Sequence, residues 1–217
     1  MRLQYSLALM LLASLTASAS PQTILTLDAA RQAVRQKQEG RDVQSVGSIN
    51  LGGLNFYREL DLGNRLRVLA ISANITGGLL AFRPDGSSIS ALKTDEITWI
   101  LLADLDADGA AEVITEEVDG RGTGTLSKAF CIYAVSTSGI KRLWRGESYS
   151  YSQVWEPRTA TRRREERESF LRIDGTVMTY AKRSAPAKAL TEIRLEMRDG
   201  VVREVPKSAR GEARPRE

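Results

Sequence analysis

The chain has 217 residues, with 31 Lys and Arg against 27 Asp and Glu, a formal charge of +4, one cysteine and no histidine. The missing imidazole excludes Ser-His-Asp and Cys-His catalysis and His-ligated zinc, and one thiol cannot build a thiolate metal site. Cys131 alone also excludes a disulfide within the chain, so stability must come from a packed core, which 42% hydrophobic content permits, or from a bound hard cation.

The first element in chain order reads as an export signal. Arg2 supplies a positive start, residues 7–15 form an apolar run, and Ala17-Ser18-Ala19 fits the small-x-small pattern of a cleavage site. The run is shorter than the roughly 20 residues that span a bilayer. The other readings are a membrane anchor or a buried helix. No cysteine follows the run to carry a lipid, and no second long apolar run occurs. A signal peptide over 1–19 is therefore expected, leaving an exported protein, periplasmic or extracellular, with no transmembrane segment after signal removal.

Residues 20–47 are expected to be an N-terminal helical segment. Helix formers fill 27–39, with Leu27, Ala30 and Val34 on one face and Gly40 as the stop. From 48 to 206 the texture is that of a β-rich domain. Short apolar runs alternate with Gly, Asn and Asp, giving candidate strands at 54–60, 66–75, 79–83, 97–103, 112–118, 126–135, 140–148, 168–173, 177–183, 193–198 and 201–205. Residues 68–75 read as a central strand covered on both faces, and 194–198 as a strand with one wet face. Asp174-Gly175 and Asp199-Gly200 carry the chemistry of tight I′ hairpins. The fold class expected is mostly β, with antiparallel sheets, sandwich-like or partial propeller-like, and one short N-terminal helix.

Two segments break this texture. Residues 158–168 are dense in charge and nearly free of hydrophobes, which predicts a long exposed loop. Residues 207–217 predict a disordered basic tail. Charge is uneven: residues 20–156 hold 14 Lys and Arg against 17 Asp and Glu, whereas 157–217 hold 16 against 10. The basic C-terminal part is either a solvated surface or a contact for anionic polymers.

The most specific pattern is Asp104-x-Asp106-x-Asp108-Gly109-x-x-Glu112, between two apolar runs. Calcium takes about six to eight oxygen ligands at roughly 2.3–2.6 Å in flexible geometry. Alternate carboxylates of a curling loop can point inward together. Gly109 permits the sharp turn, the Ala110 carbonyl can aim back at the ion, and Glu112 can close the shell. An EF-hand would want a bidentate Glu where Thr115 stands, between helices, so a loop joining two strands fits better. Without a cation, four close carboxylates repel one another. The alternative is an acidic turn kept polar for solubility.

This segment, from Ala103 through Ile114, resembles the FG-GAP/VCBS repeat family of propeller blades and bacterial exported proteins. The resemblance covers a single copy, residues 97–118. It implies a structural Ca2+ held by Asp104, Asp106, Asp108 and Glu112, with Ala110 through its carbonyl. Ala107 stands where that family often has Gly, and the Phe-Gly-x-Gly-Ala-Pro motif is not evident upstream.

Other features are weaker. Gly120-x-Gly122-x-Gly124 reads as a flexible loop between strands, because no helix follows to cradle a phosphate. Trp144, Tyr149, Tyr151 and Trp155, near Lys141-Arg142, are either strand packing or a platform for carbohydrate or peptide. Cys131, in an apolar run, reads as a small buried hydrophobe, against a nucleophile or an intermolecular bridge. The function expected is an exported calcium-binding module with an interaction role toward an unknown protein or polysaccharide, and with no specific nucleic acid. The alternatives are a carboxylate-based hydrolase using Glu116, Glu117 or Asp119, or an envelope protein binding anionic polymers through its basic part.

Overall fold

A computed structural model of the protein describes residues 25–63, 65–156, 161–183 and 190–205. The expected signal at 1–19 and tail at 207–217 lie outside the described residues. Helix α1 spans Leu27–Gln38. Thr26 caps it, its hydroxyl accepting the Ala29 N–H at 3.2 Å, and Asp28 in the first turn and Arg35 and Lys37 in the last complement the helix dipole. The chain leaves the helix through Gly40, whose φ of +79° suits a residue without a side chain. A small hairpin of β1 (Ser45–Val46) and β2 (Ile49–Asn50) follows.

Eleven strands form the body: β3 (Leu54–Asp61), β4 (Arg67–Ala73), β5 (Thr76–Phe82), β6 (Ser88–Ala103), β7 (Glu112–Gly122), β8 (Thr125–Ser136), β9 (Gly139–Glu156), β10 (Thr161–Asp174), β11 (Val177–Arg183), β12 (Leu190–Arg198) and β13 (Val201–Val205). Each pairs antiparallel with the next, in one continuous meander. Two strands change partners along their length. Residues 88–95 of β6 pair with β5, whereas 96–103 pair with β7. Likewise 161–168 of β10 pair with β9, and 168–174 with β11.

These changes let the meander fold back on itself in layers. Side chains alternate across a strand, so a strand between two layers is apolar on both faces. Val68 and Ala70 of β4, with Leu79 and Ala81 of β5, face Val113 of β7 and Ala129, Cys131 and Tyr133 of β8. Leu69, Ile71, Leu80 and Phe82, one residue out of phase, face α1 and the small hairpin. On the far side of β7 and β8, Ile114 and Ile132 meet Met178, Tyr180, Leu195 and Val202. Full burial of each Leu, Ile or Val contributes about 1.5–3 kcal/mol.

The mostly β, antiparallel class with one short helix is what the structure has. The face-to-face packing of β4 and β5 on β7 and β8 is sandwich-like; the continuous ladder has no separate propeller blades. The central-strand reading of 68–75 holds over β4, which is buried from Val68 to Ala73.

Four expectations are corrected. Within the charged segment 158–168, residues 161–168 are not a loop but the start of β10. The β9 ladder satisfies their backbone, and the side chains of Arg164, Glu166, Arg167 and Glu168 are exposed. The glycine-rich stretch is not a flexible loop: β7 runs to Gly122 and pairs with β8 there. The helical segment 20–47 already contains β1 at its end. At the β10–β11 turn, only Gly175 of the two loop residues has positive φ, the pattern of a II′ turn, whereas Asp199 and Gly200 at +52° and +66° fit I′. The α1 helix is the only helix among the described residues, and none there is long and apolar enough to cross a membrane.

Candidate metal centre

The acidic turn joins β6 to β7, with Ala103 paired to Glu112 at its base. Its backbone curls through two left-handed residues, Ala107 at φ +61° and Gly109 at +87°. Three carboxylates organise the curl. Asp104 accepts the N–H groups of Asp108 at 3.2 Å and Gly109 at 3.0 Å, and Asp108 accepts that of Ala110 at 2.7 Å. Asp106 also accepts the Asp108 N–H, at 3.3 Å.

The turn is pinned on two sides. Leu105 points inward, 1% exposed, into the core that Ile114, Ile132 and Met178 share. The Ala111 N–H donates to the Leu62 carbonyl at 3.2 Å, tying the turn to the β3–β4 loop. The loop is thus held from below while its carboxylates remain at the surface.

Asp104, Asp106 and Asp108 each offer a carboxylate oxygen, and the three lie within 4.8 Å of one another. This trio can hold a metal ion. The other two expected ligands are placed differently. Glu112 lies outside the trio, buried, and accepts the Leu105 N–H at 2.9 Å. Ala110 enters the loop through its N–H, donated to Asp108. Charge accumulates accordingly. Burial raises the pKa of Asp106, and the charges of Asp108 and Asp104 add to it. Glu112 is pushed up to about 7, first by burial and then by the three aspartates, against the bond from Leu105. Each shift comes first from burial, and the neighbouring carboxylates add to it.

The carboxylates named for hydrolysis do not converge. Glu116 and Glu117 are neighbours on β7 and face opposite sides. Glu116 accepts from Thr98 at 2.8 Å, Lys128 at 3.0 Å and Ser148 at 2.9 Å. Glu117, 1% exposed, accepts from Thr115 at 2.5 Å and Tyr133 at 2.7 Å. Asp119 pairs with Arg145. The spacing of β strands hid this cluster, since Tyr133 and Glu117 stand sixteen residues apart in the chain and meet only across the β7–β8 ladder.

The aromatic group is likewise divided. Trp144 packs edge-on against Tyr180 in the core, 5.2 Å between centroids. Tyr149 donates to Glu166 at 2.8 Å, and Arg164 sits 5.1 Å over the Tyr151 ring. The Trp155 side chain lies outside the described residues. In the basic C-terminal part, Arg172, Arg183, Arg194 and Arg198 pair with Asp174, Glu168 and Glu196. No family model, no curated protein and no solved structure matches this chain, so the likeness of its acidic turn to an FG-GAP/VCBS repeat rests on the residues of that turn alone.

Proposed function

We propose that the chain is an exported, calcium-binding β module in which the ion stabilises the β6–β7 turn, and that the module acts by binding a protein or polysaccharide rather than by catalysis. The observation that carries this reading is the convergence of Asp104, Asp106 and Asp108 within 4.8 Å. Two oxygens on opposite sides of a calcium ion are about 4.6–5.2 Å apart, twice the Ca–O distance of about 2.3–2.6 Å. The trio therefore fits within one coordination shell, and its donors are all hard oxygens. Asp104, Asp106 and Asp108 would hold the ion, with Glu112 and the Ala110 carbonyl as further candidates. The ion would offset the repulsion among these carboxylates and fix β6 and β7 in register. FG-GAP/VCBS-like sequence around the turn and the export pattern at 1–19 support the same reading.

Titration calorimetry and thermal unfolding of the full chain, with calcium and with magnesium, test it. Calcium is expected to release or absorb heat and to raise the melting temperature. Asp106→Ala is expected to keep the fold and lose that rise. A protein that shows neither heat nor stabilisation with calcium would overturn the reading.

A further inference from the structure

A second concentration of ionisable groups lies where β6 parts from β5. At Asp95 the strand ends its ladder with β5, and at Glu96 it takes up β7. On the inner side of this fork a cleft of about 490 Å³ opens, bounded by β6, β7, β8 and β9. That volume lies within the roughly 300–1,000 Å³ of small-molecule sites.

The cleft holds charges of both signs. Glu117 and Tyr133 form its floor, Lys93 and Asp95 come from β6, and Arg142 comes from β9. The Glu117 carboxylate is fixed by the hydroxyls of Thr115 and Tyr133. Hydrogen bonds from neutral groups hold it in place, while burial raises its pKa, so a cationic group beside it would favour the charged form. Among the described residues, no ion pair engages Glu117, Asp95, Lys93 or Arg142, although twelve other pairs occur elsewhere. A buried carboxylate without a cation is costly to keep.

We propose that this cleft binds a small zwitterion, a free α-amino acid, with its ammonium between Glu117 and Asp95 and its carboxylate on Lys93 and Arg142. A simple anion would meet the two carboxylates, and a simple cation would pass the two exposed basic side chains. A ligand bearing both charges satisfies all four groups. The strand fork gives the site its rigidity, because floor and walls stand on paired strands. This site is separate from the acidic turn and does not depend on the calcium reading.

The test is thermal shift followed by calorimetry on the full chain, with the free L-α-amino acids as probes. At least one is expected to bind saturably. Its N-acetyl and C-amide forms are expected to bind about ten-fold more weakly or worse, as are the Arg142→Ala and Lys93→Ala variants. Those two positions are exposed, so the variants should fold even if Glu117→Gln does not. Asp106→Ala is expected to leave this binding unchanged. Failure of every amino acid to bind, or equal binding of the blocked forms, would overturn the proposal.

Discussion

Glu112 accepts the backbone N–H of Leu105 at 2.9 Å, so the residue that begins β7 closes the mouth of the acidic turn across seven positions. The bond sets a buried carboxylate beside the three of Asp104, Asp106 and Asp108. It gives the turn its shape and its electrostatic sensitivity together.

The first prediction is a pH dependence of the metal-free protein. Burial and the aspartates hold Glu112 near 7 in the fold, against an ordinary value of 4.5. The folded state thus binds this proton more tightly than the unfolded chain does. The resulting stability is fully present below about 4.5 and is lost as pH rises through about 7. Melting in chelator at about pH 5 and about pH 8 should differ by on the order of 1–3 kcal/mol, higher at the acid end. Glu112→Gln should flatten that difference. An unchanged slope in the variant would remove Glu112 as its source.

Ala107 is predicted to be a site of stored strain. Its φ of +61° costs an L-residue about 1–2 kcal/mol. Ala107→Gly removes that cost and adds about 0.4–1 kcal/mol of unfolded-chain entropy. The net expectation is a gain of about 0.5–1 kcal/mol, a rise of roughly 1–4 °C in a domain of this size. Urea unfolding of the two proteins would check it, and a loss of stability would refute the strain.

Gly77 is predicted to be required at the β6 fork. A Cβ there would stand 2.4 Å from the Asp95 carbonyl and 2.6 Å from the Thr94 hydroxyl. Backbone cannot yield cheaply, so Gly77→Ala should cost about 1–3 kcal/mol. The same push moves Thr94 and Asp95, so it should also weaken any amino acid found to bind in the cleft.

Cys131 is fully buried in the layer between β4–β5 and β7–β8, and burial beside Glu117 pushes its thiol up to about 12. It should resist thiol reagents in the native protein and react stoichiometrically in denaturant. Native labelling at the speed of a free thiol would contradict this packing.

Much of this architecture was legible in the residues because alternation speaks plainly where a core exists. The strands at 177–183 and 201–205 match β11 and β13 in both bounds, and the helix face of Leu27, Ala30 and Val34 is the buried one. What escaped lacks such contrast. Residues 88–95 of β6 are mostly small and polar, and the start of β10 carries charge on both faces, since only a neighbouring ladder holds it straight. The acidic turn was readable because its carboxylates recur at alternate positions within one short stretch of chain. The cleft was not, because Lys93, Glu117, Tyr133 and Arg142 belong to four different strands and meet only through register.

The meander has a consequence for how the chain reaches its fold. Since each ladder of the large sheet joins strands adjacent in sequence, every pairing closes a short loop, and short closures cost little entropy. Folding can therefore advance hairpin by hairpin in the order of synthesis, quickly for an all-β architecture, with no strand waiting for a distant partner. The tight β6–β7 turn is one link in that succession, so a cation bound there would act on the folding route as well as on the finished molecule.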